Sequence, residues 1–297
     1  MEKIIFSKGF LVNKMLGTII KILHGQYSVD VDGVIYQTSP RGLFRKNHIK
    51  PMVGDKVILE ENNYLIVDVL PRESMLKRPP IANINQILLV FSLSEPTFSY
   101  YLALKYLTYA HHEGIKASLV LTKTDLEKFE GEEIKKNFEK VGINTYLVSN
   151  KTNEGIEEIK EILKGKITCL IGQTGVGKSS LLNNLDSEYS RQVGEYSKAL
   201  GRGKHETKEV VLLPFADGLI ADTPGFSSLE LDIPLVEVSH HFPGMEEVSL
   251  TCFYNDCLHE HEPKCEVKKK VEEGIIPSIF YESYLKLLVE IKENNHG

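Results

Sequence analysis

The sequence has 297 residues, of which 26% are charged and 42% hydrophobic, with a formal net charge of −6 at pH 7. These values are typical of a soluble protein with two or three globular domains, and they exclude a generally basic nucleic-acid binder. Because no apolar run approaches the roughly 18 residues that span a bilayer and "MEKIIFSKGF" lacks the apolar segment of a signal peptide, we expect a cytoplasmic protein without membrane contact.

Short strand-like runs separated by turns fill residues 16–69: "LGTIIKIL", "QYSVDV", "VIYQ", "DKVILE" and "YLIVDVL". Asp32-Gly33 is a hairpin signal, and about five short strands favour a small closed barrel, with an OB-fold as the leading candidate. We assign residues 1–72 to this OB-fold. One loop, "SPRGLFRKNHIKP", carries four cations beside Phe44 and is either an RNA-contacting loop or an ordinary solvated one.

The segment "KRPPIANIN" predicts a linker, because two prolines interrupt regular structure. Strand-like runs such as "QILLVFSL", "KASLVLT", "NTYLVS", "ITCLIG", "EVVLLPF" and "GLIADT" then alternate with amphipathic helical stretches. This pattern predicts a mainly parallel sheet covered by helices, which we place over residues 73–231. The remaining residues, 232–297, contain three cysteines followed by two stretches with helical periodicity.

The segment "GQTGVGKS" lies between an apolar strand and a helix and fits the phosphate-loop pattern G-x-x-x-x-G-K-[ST]. Glycines let backbone N–H groups approach phosphates, and the helix N-terminus favours negative charge. Lys178 would reach the β- and γ-phosphates, and Ser179 would bind Mg²⁺. The predicted phosphate-binding residues are Gly172, Gln173, Thr174, Gly175, Val176, Gly177, Lys178, Ser179 and Ser180.

Two later segments complete a phosphate-sensing site in this interpretation. In "DTPG", Asp222 is predicted to bind Mg²⁺, and the N–H of Gly225 to sense the γ-phosphate. The glycine-rich, charged stretch between the two motifs would act as a switch, with Thr207 as the threonine that binds Mg²⁺. An ordinary loop threonine is the alternative for Thr207.

A carboxylate after the strand "KASLVLT" would distinguish guanine from adenine. Guanine displays two adjacent donors that Asp125 could accept, whereas adenine has an acceptor at N1. Lys123 would cover the base, and Ser149 begins a second loop that would close over it. The predicted base-side residues are Thr122, Lys123, Thr124, Asp125, Ser149, Asn150 and Lys151. These loops precede the phosphate loop, so the motif order predicts a circularly permuted GTPase.

Three cysteines and a histidine have the spacing C-x4-C-x-H-x5-C, formed by Cys252, Cys257, His259 and Cys265. Three thiolates and one imidazole form a closed tetrahedral Zn²⁺ site, which is structural rather than catalytic. We therefore expect one structural zinc ion per chain. His261 competes for the histidine position, and free buried cysteines are the other alternative.

The chain resembles the RsgA family of circularly permuted bacterial GTPases in "RPPIANINQILLVFSL", "GQTGVGKSSLLN", "LGRGKHET", "DTPGFSSLEL" and "CFYNDCLHEHEPKC". The resemblance implies an OB-fold, a permuted GTPase domain and a zinc domain. It also implies assistance in late maturation of the small ribosomal subunit, with hydrolysis of GTP to GDP that is slow alone and stimulated by the subunit. It favours His259 as the zinc ligand. Thr122 departs from the family's usual Asn, and "HETK" from its more common "HTTT".

Catalytic roles are predicted for Lys178, Thr207 and His205. Phe226 follows the "DTPG" motif where Ras-like enzymes have a water-positioning Gln, so turnover should depend on a partner. His205 is the candidate replacement, or else a solvated or RNA-facing residue. Contacts with ribosomal RNA are expected from the OB and zinc domains, and a monomer is the default. Competing functions are a non-catalytic RNA-binding scaffold and a P-loop ATPase or small-molecule kinase.

Overall fold

A computed structural model describes residues 14–40, 50–186, 210–215, 217–222 and 229–294. Within these ranges the chain divides into two compact units. The first lies within residues 1–85, 165–169 and 190–224, and the second within residues 86–164, 170–189 and 225–297. No helix in the described ranges is long and apolar enough to cross a membrane.

The described ranges contain strands and helices in alternation after an initial run of strands. The strands are β1 (Lys14–Leu23), β2 (Gln26–Val31), β3 (Val34–Pro40), β4 (Lys56–Glu60), β5 (Leu65–Val69), β6 (Met75–Leu76), β7 (Ile81–Ala82), β8 (Gln86–Ser92), β9 (Ala117–Thr122), β10 (Thr145–Leu147), β11 (Ile167–Ile171), β12 (Val211–Phe215) and β13 (Gly218–Asp222). The helices are α1 (Tyr100–His112), α2 (Lys128–Glu139), α3 (Ile156–Leu163), α4 (Lys178–Leu185), α5 (Val238–His241), α6 (Glu246–Ser249), α7 (Glu266–Glu272) and α8 (Ser278–Asn294), with a 3-10 turn at Leu235–Glu237.

The first five strands form a closed barrel. They follow the order β1-β2-β3-β5-β4, and β4 also pairs with β1, which closes the sheet on itself. Alternate residues face inward, so side chains such as Ile19, Val29 and Leu59 fill the interior and are fully buried. The predicted OB-type barrel is confirmed. The predicted hairpin is also present, with Val31 opposite Val34. Residues 41–49 of the cation-bearing segment "SPRGLFRKNHIKP" lie outside the described residues, whereas its fourth cation, Lys50, is described.

The predicted linker is more ordered than its two prolines suggest. β6 and β7 pair antiparallel on either side of the turn that contains the prolines, and Val53 forms a parallel bridge with Ile81. Ile81 and Ala82 are fully buried. The stretch therefore belongs to the packed interior of the first unit rather than serving only as a spacer.

The second unit contains a parallel sheet segment with the order β10-β9-β8. Every residue of β8 is buried, as expected for a strand covered on both faces. In the first unit β11 pairs parallel with β13, and β13 pairs antiparallel with β12. The mainly parallel sheet predicted from the alternating pattern is present. Because β8, β9 and β10 are parallel, the loops that follow them leave from the same edge of the sheet.

Helix α8 packs against α1 and α2 in the second unit. Glu290 of α8 accepts hydrogen bonds from Tyr101 and from Lys105, whose ammonium lies 2.5 Å from the carboxylate. The ring of Phe280, also on α8, lies 4.8 Å from the ring of Phe138 on α2. The long C-terminal helix is thus joined to two helices of this unit by an ion pair and by aromatic packing.

A buried ion pair fixes one end of the barrel. Asp55 is completely buried, and its carboxylate accepts hydrogen bonds from Arg72 at 2.7 and 2.9 Å and from the N–H of Met52 at 2.8 Å. The hydrogen bond to Asp55 raises the pKa of Arg72. Removing one partner of such a pair leaves an uncompensated buried charge, which costs more than the pair itself contributes.

We predict that Arg72→Ala lowers the free energy of unfolding of the barrel by about 3 kcal/mol, because Asp55 is left buried without its cation. Amide hydrogen exchange of the barrel strands measures this directly. The matched control is Lys56→Ala, which removes an exposed pair with Glu73 at 3.5 Å and should change the value by less than about 0.5 kcal/mol. Equal changes in the free energy of unfolding would show that the buried pair stabilises the barrel no more than the exposed pair.

Candidate functional site

The phosphate-loop motif, Gly172–Ser179, connects β11 to α4. A side chain at Gly172 would place its Cβ 2.2 Å from the carbonyl oxygen of Val90, so only glycine fits there. Gly177 has a φ of +94° and directly precedes α4. Gln173, Thr174, Gly175, Ser179 and Ser180 are exposed, whereas Val176 is buried. The loop is therefore packed against β8 at Gly172 and is accessible at most of its other residues, as phosphate binding requires.

The ammonium group of Lys178 lies inside this loop. It donates hydrogen bonds to the carbonyl oxygens of Gly172, at 2.5 Å, and Gln173, at 2.8 Å. These bonds hold the positive charge at the start of α4, where the helix N-terminus also favours an anion. The arrangement suits a bound phosphate chain.

Thr122 connects the end of β9 to the phosphate loop. Its hydroxyl lies 2.6 Å from the carbonyl oxygen of Val176 and 3.1 Å from that of Phe91, and the residue is fully buried. The hydroxyl can donate only one hydrogen, which these two acceptors share. The threonine that departs from the family's usual Asn therefore still joins the base-side strand to the phosphate loop.

Asp125 and Ser149 meet between the ends of β9 and β10. The Ser149 hydroxyl donates to the Asp125 carboxylate at 2.8 Å and accepts from the N–H groups of Lys151 and Thr152, at 3.2 and 3.1 Å. Asp125 is exposed, while Ser149 is fully buried. A buried serine thus orients an accessible carboxylate, whose remaining lone pairs can accept two adjacent donors of a base.

Sequence reasoning missed the residues that hold Lys123. Its ammonium donates to the carbonyl oxygens of Ser94 and Glu95, at 2.8 and 2.7 Å. These two residues follow β8, whose carboxyl end lies at the same edge of the sheet as that of β9. Only backbone oxygens are involved, so no residue type in the sequence signals the contact. Thr124 is buried beside them, and its hydroxyl has no partner among the described residues.

Asn150 forms a second link between the base loop and the phosphate loop. Its side-chain Nδ2 donates to the carbonyl oxygen of Gly177 at 3.3 Å, and Asn184 on α4 donates to the Asn150 carbonyl oxygen at 2.6 Å. Asn184 lies outside the predicted site residues. It is one polar residue in the helix after the loop, and nothing in the motif distinguishes it.

The switch and magnesium predictions fall largely outside the described residues. Thr207, His205 and Gly225 lie in ranges that the structure does not describe. Asp222 is the last residue of β13, at the strand end where the motif predicted it. The roles assigned to these four residues stay predictions.

The four predicted metal ligands converge in the second unit. One ligand atom from each of Cys252, Cys257, His259 and Cys265 lies within 4.8 Å of all the others. Nδ1 of His259 is 3.5 Å from the sulfur of Cys252 and 3.3 Å from that of Cys265, and these two sulfurs are 3.9 Å apart. A tetrahedral ion with sulfur bonds of about 2.3 Å would separate its sulfurs by about 3.8 Å. The cluster can hold a metal ion.

Burial acts differently on the two kinds of ligand in the cluster. Burial lowers the pKa of His259 to about 4, so its imidazole is neutral at pH 7 and keeps a lone pair for a metal. Burial raises the pKa of the Cys257 thiol to about 12. A bound cation must therefore displace thiol protons, which couples metal binding to proton release.

Hydrogen bonds to backbone groups fix the loop that carries these ligands. The carboxylate of Glu262 accepts from the N–H groups of Leu258, Glu260 and His261, at 2.8 to 3.0 Å. Helix α8 contributes two hydroxyl donors: Tyr281 to the carbonyl oxygen of His259 at 2.6 Å, and Tyr284 to that of Leu258 at 3.1 Å. The backbone at His259 is therefore held by hydrogen bonds to its own carbonyl oxygen and to that of Leu258.

Two family models cover most of the chain. The RsgA GTPase model matches residues 69–232, and the RsgA N-terminal domain model matches residues 16–64. The chain belongs to the RsgA family. It is 40% identical over 284 residues to the small ribosomal subunit biogenesis GTPase RsgA of Halalkalibacterium halodurans, covering 93% of this chain and 97% of that protein. Its identity to RsgA 1 of Listeria monocytogenes is 43%, with the same coverage.

Solved RsgA-like structures share the fold. The crystal structure of YjeQ from Thermotoga maritima has a TM-score of 0.81 and 33% identity, covering 94% of this chain and 99% of that one. YloQ, described as a circularly permuted GTPase, has a TM-score of 0.79 and 34% identity, covering 95% and 96%. The RsgA chain is thus an N-terminal OB-like barrel, a permuted GTPase domain and a C-terminal region with a Cys3His cluster. The predicted GTP hydrolase activity is confirmed at the level of the family.

We predict that His259→Ala abolishes metal binding and that His261→Ala does not. His259 is 1% exposed and faces the sulfurs, whereas His261 is exposed and does not belong to the cluster. Metal content per purified chain, measured by elemental mass spectrometry, distinguishes the two histidines. Retention of a full equivalent by His259→Ala, or its loss from His261→Ala, would reverse the assignment.

Proposed function

We propose that this RsgA-family chain assists late maturation of the small (30S) ribosomal subunit, hydrolysing GTP to GDP and phosphate slowly alone and faster on the subunit. Its relatives carry the name small ribosomal subunit biogenesis GTPase at about 40% identity over nearly their whole length. The observation that carries the nucleotide assignment is the Ser149–Asp125 hydrogen bond, which holds an accessible carboxylate in one unit with the phosphate loop.

The nucleotide-binding residues are proposed to divide their roles between base and phosphates. Asp125 accepts the two guanine donors, the Lys123 stem covers the base, and the loop that begins at Ser149 closes over it. The residues from Gly172 to Ser180 bind the phosphates, with Lys178 at the β- and γ-phosphates. When bound with GTP, Mg²⁺ neutralises charge that develops on the phosphates; its proposed ligands are Ser179, Thr207 and Asp222.

Slow intrinsic turnover follows from the residue after the "DTPG" motif. A phenyl ring at position 226 cannot orient a water molecule for attack, so hydrolysis should depend on a partner. We propose that His205 orients water once the small subunit is bound, and that Gly225 senses the γ-phosphate.

The proposed domains are the OB-fold at 1–72, the permuted GTPase domain at 73–231 and a zinc-binding and helical domain at 232–297. One Zn²⁺ ion bound by Cys252, Cys257, His259 and Cys265 would have a structural role, because four protein ligands leave no open position. Contacts with ribosomal RNA are assigned to the OB and zinc domains. A cytoplasmic monomer completes the proposal.

The decisive experiment measures phosphate release from GTP by the purified chain alone, with small subunits and with large subunits. Small subunits should accelerate release roughly tenfold or more, because a partner must complete the catalytic site. Lys178→Ala should abolish the stimulated rate without preventing the chain from folding, since Lys178 is partly exposed. Stimulation by large subunits alone, or none by either, would overturn the proposal. The second outcome would favour a non-catalytic RNA-binding scaffold.

We predict that Asp125→Asn lowers GTP affinity by roughly 100-fold and raises the affinity for xanthosine triphosphate. The amide presents a donor to the guanine amino group, whereas xanthine carries an acceptor oxygen there. Competition against a fluorescent guanine nucleotide measures both affinities. Glu127→Gln, in the same loop and exposed, is the matched control and should change neither. ATP that displaced GTP from the unmodified chain would instead indicate an ATPase or kinase.

A further inference from the structure

Thr122 leaves the base pocket without a donor that the family's usual Asn would supply. A threonine hydroxyl has one hydrogen, and the carbonyl oxygens of Val176 and Phe91 already accept it at 2.6 and 3.1 Å. An asparagine amide has two N–H groups, so it could bind the phosphate loop with one and a ligand with the other. In this chain the Thr122 side chain therefore holds the phosphate loop but has no hydrogen left for a base.

The acceptor atoms of guanine, O6 and N7, need hydrogen-bond donors from the protein. The N1–H and amino groups of guanine form the donor edge that faces Asp125 in the proposed function, while O6 and N7 are acceptors. O6 is next to N1, whereas N7 belongs to the five-membered ring, which also carries the ribose. N7 is therefore nearer than O6 to the ribose and phosphates. A donor for N7 must therefore come from the phosphate-loop side of the pocket.

The side-chain amide of Asn150 lies on that side. A Cβ added to Gly177 would be 3.0 Å from Nδ2 of Asn150 and 3.8 Å from Oγ1 of Thr122, so both polar groups face the same glycine. Asn150 belongs to the loop after β10, directly after the serine that holds Asp125. Its position is thus between the carboxylate that recognises one base edge and the loop that recognises the phosphates.

The amide of Asn150 has hydrogen-bonding capacity to spare. One of the two hydrogens on Nδ2 is donated to the carbonyl oxygen of Gly177 over a long 3.3 Å, which leaves the second hydrogen for a ligand. The backbone is fixed independently, because Asn184 donates to the Asn150 carbonyl oxygen at 2.6 Å. The amide can turn about its side-chain bonds at the cost of one weak bond.

We propose that the Asn150 side-chain amide donates a hydrogen bond to N7 of the bound guanine and so replaces the amide that position 122 lacks. The inference rests on the proposed function, because it requires a guanine nucleotide in this pocket. Asn150 sets affinity rather than specificity, since adenine also carries an acceptor at N7. Discrimination between the two bases is left to Asp125.

Binding of GDP and of 7-deaza-GDP, in which a C–H group replaces N7, tests this with the full-length chain. The unmodified protein should bind GDP about tenfold more tightly than 7-deaza-GDP, the effect of one hydrogen bond. Asn150→Ala should lower GDP affinity by a similar factor and leave 7-deaza-GDP affinity unchanged, so that the preference disappears. Adding Thr122→Asn to that variant should restore the preference.

A matched control is Asn144→Ala, which removes the same side chain at an exposed position before β10 and should keep the full preference. Equal loss of affinity for both nucleotides in Asn150→Ala would show that the residue only holds the loops together, and would overturn the proposal. So would an unmodified chain that bound GDP and 7-deaza-GDP equally well. If the unmodified chain bound neither nucleotide, the proposed function itself would fail, which is a separate outcome.

Discussion

The hydrogen bond from the Thr122 hydroxyl to the Val176 carbonyl oxygen joins two loops that lie 54 residues apart in the chain. A nucleotide has a base and a phosphate chain at a fixed separation, so the two loops must be held at that separation before it binds. Thr122 is fully buried, and breaking its bond would leave an unsatisfied carbonyl oxygen at a cost of about 1–3 kcal/mol. A second link between the same regions comes from Asn150, which donates to the carbonyl oxygen of Gly177 at 3.3 Å.

Strand direction explains why the permuted chain order does not disturb the site. β8, β9 and β10 are parallel, so the segments that leave their carboxyl ends meet at one edge whichever strand comes first in the sequence. Lys123 bound to Ser94 and Glu95, and Asp125 bound to Ser149, are both contacts between such segments. Permutation alters which loops are covalently continuous but leaves this edge intact.

Much of the fold could be predicted from the sequence because its signals are local. The strand "QYSVDV" has the predicted bounds, Gln26–Val31, and the phosphate-loop motif lies between the expected strand and helix. The four-residue helices α5 and α6 were not predicted, because one turn is too short to show a helical period. The linker was also incompletely described, since the burial of Ile81 depends on residues distant in the sequence.

The candidate sites could also be predicted only in part from the sequence. Motif spacing identified which residues would cluster. It could not identify the backbone oxygens that accept from Lys123 and Asn184, because a backbone oxygen is present in every residue. Spacing also could not decide between His259 and His261. The structure distinguishes them, because His259 is buried among the sulfurs whereas His261 is exposed and outside the cluster.

The C-terminal region packs against other helices of the second unit. Pro96 lies 3.9 Å from the position of a Cβ on Gly175 of the phosphate loop, and the ring of Phe98 nearby contacts Phe138, which contacts Phe280 on α8. Helix α8 in turn donates the tyrosine hydroxyls that hold the metal-ligand loop. A small cysteine-rich segment with little apolar sequence cannot form its own core. In this chain α8 supplies hydrogen bonds to the ligand loop from one side, while its other contacts join it to α1 and α2.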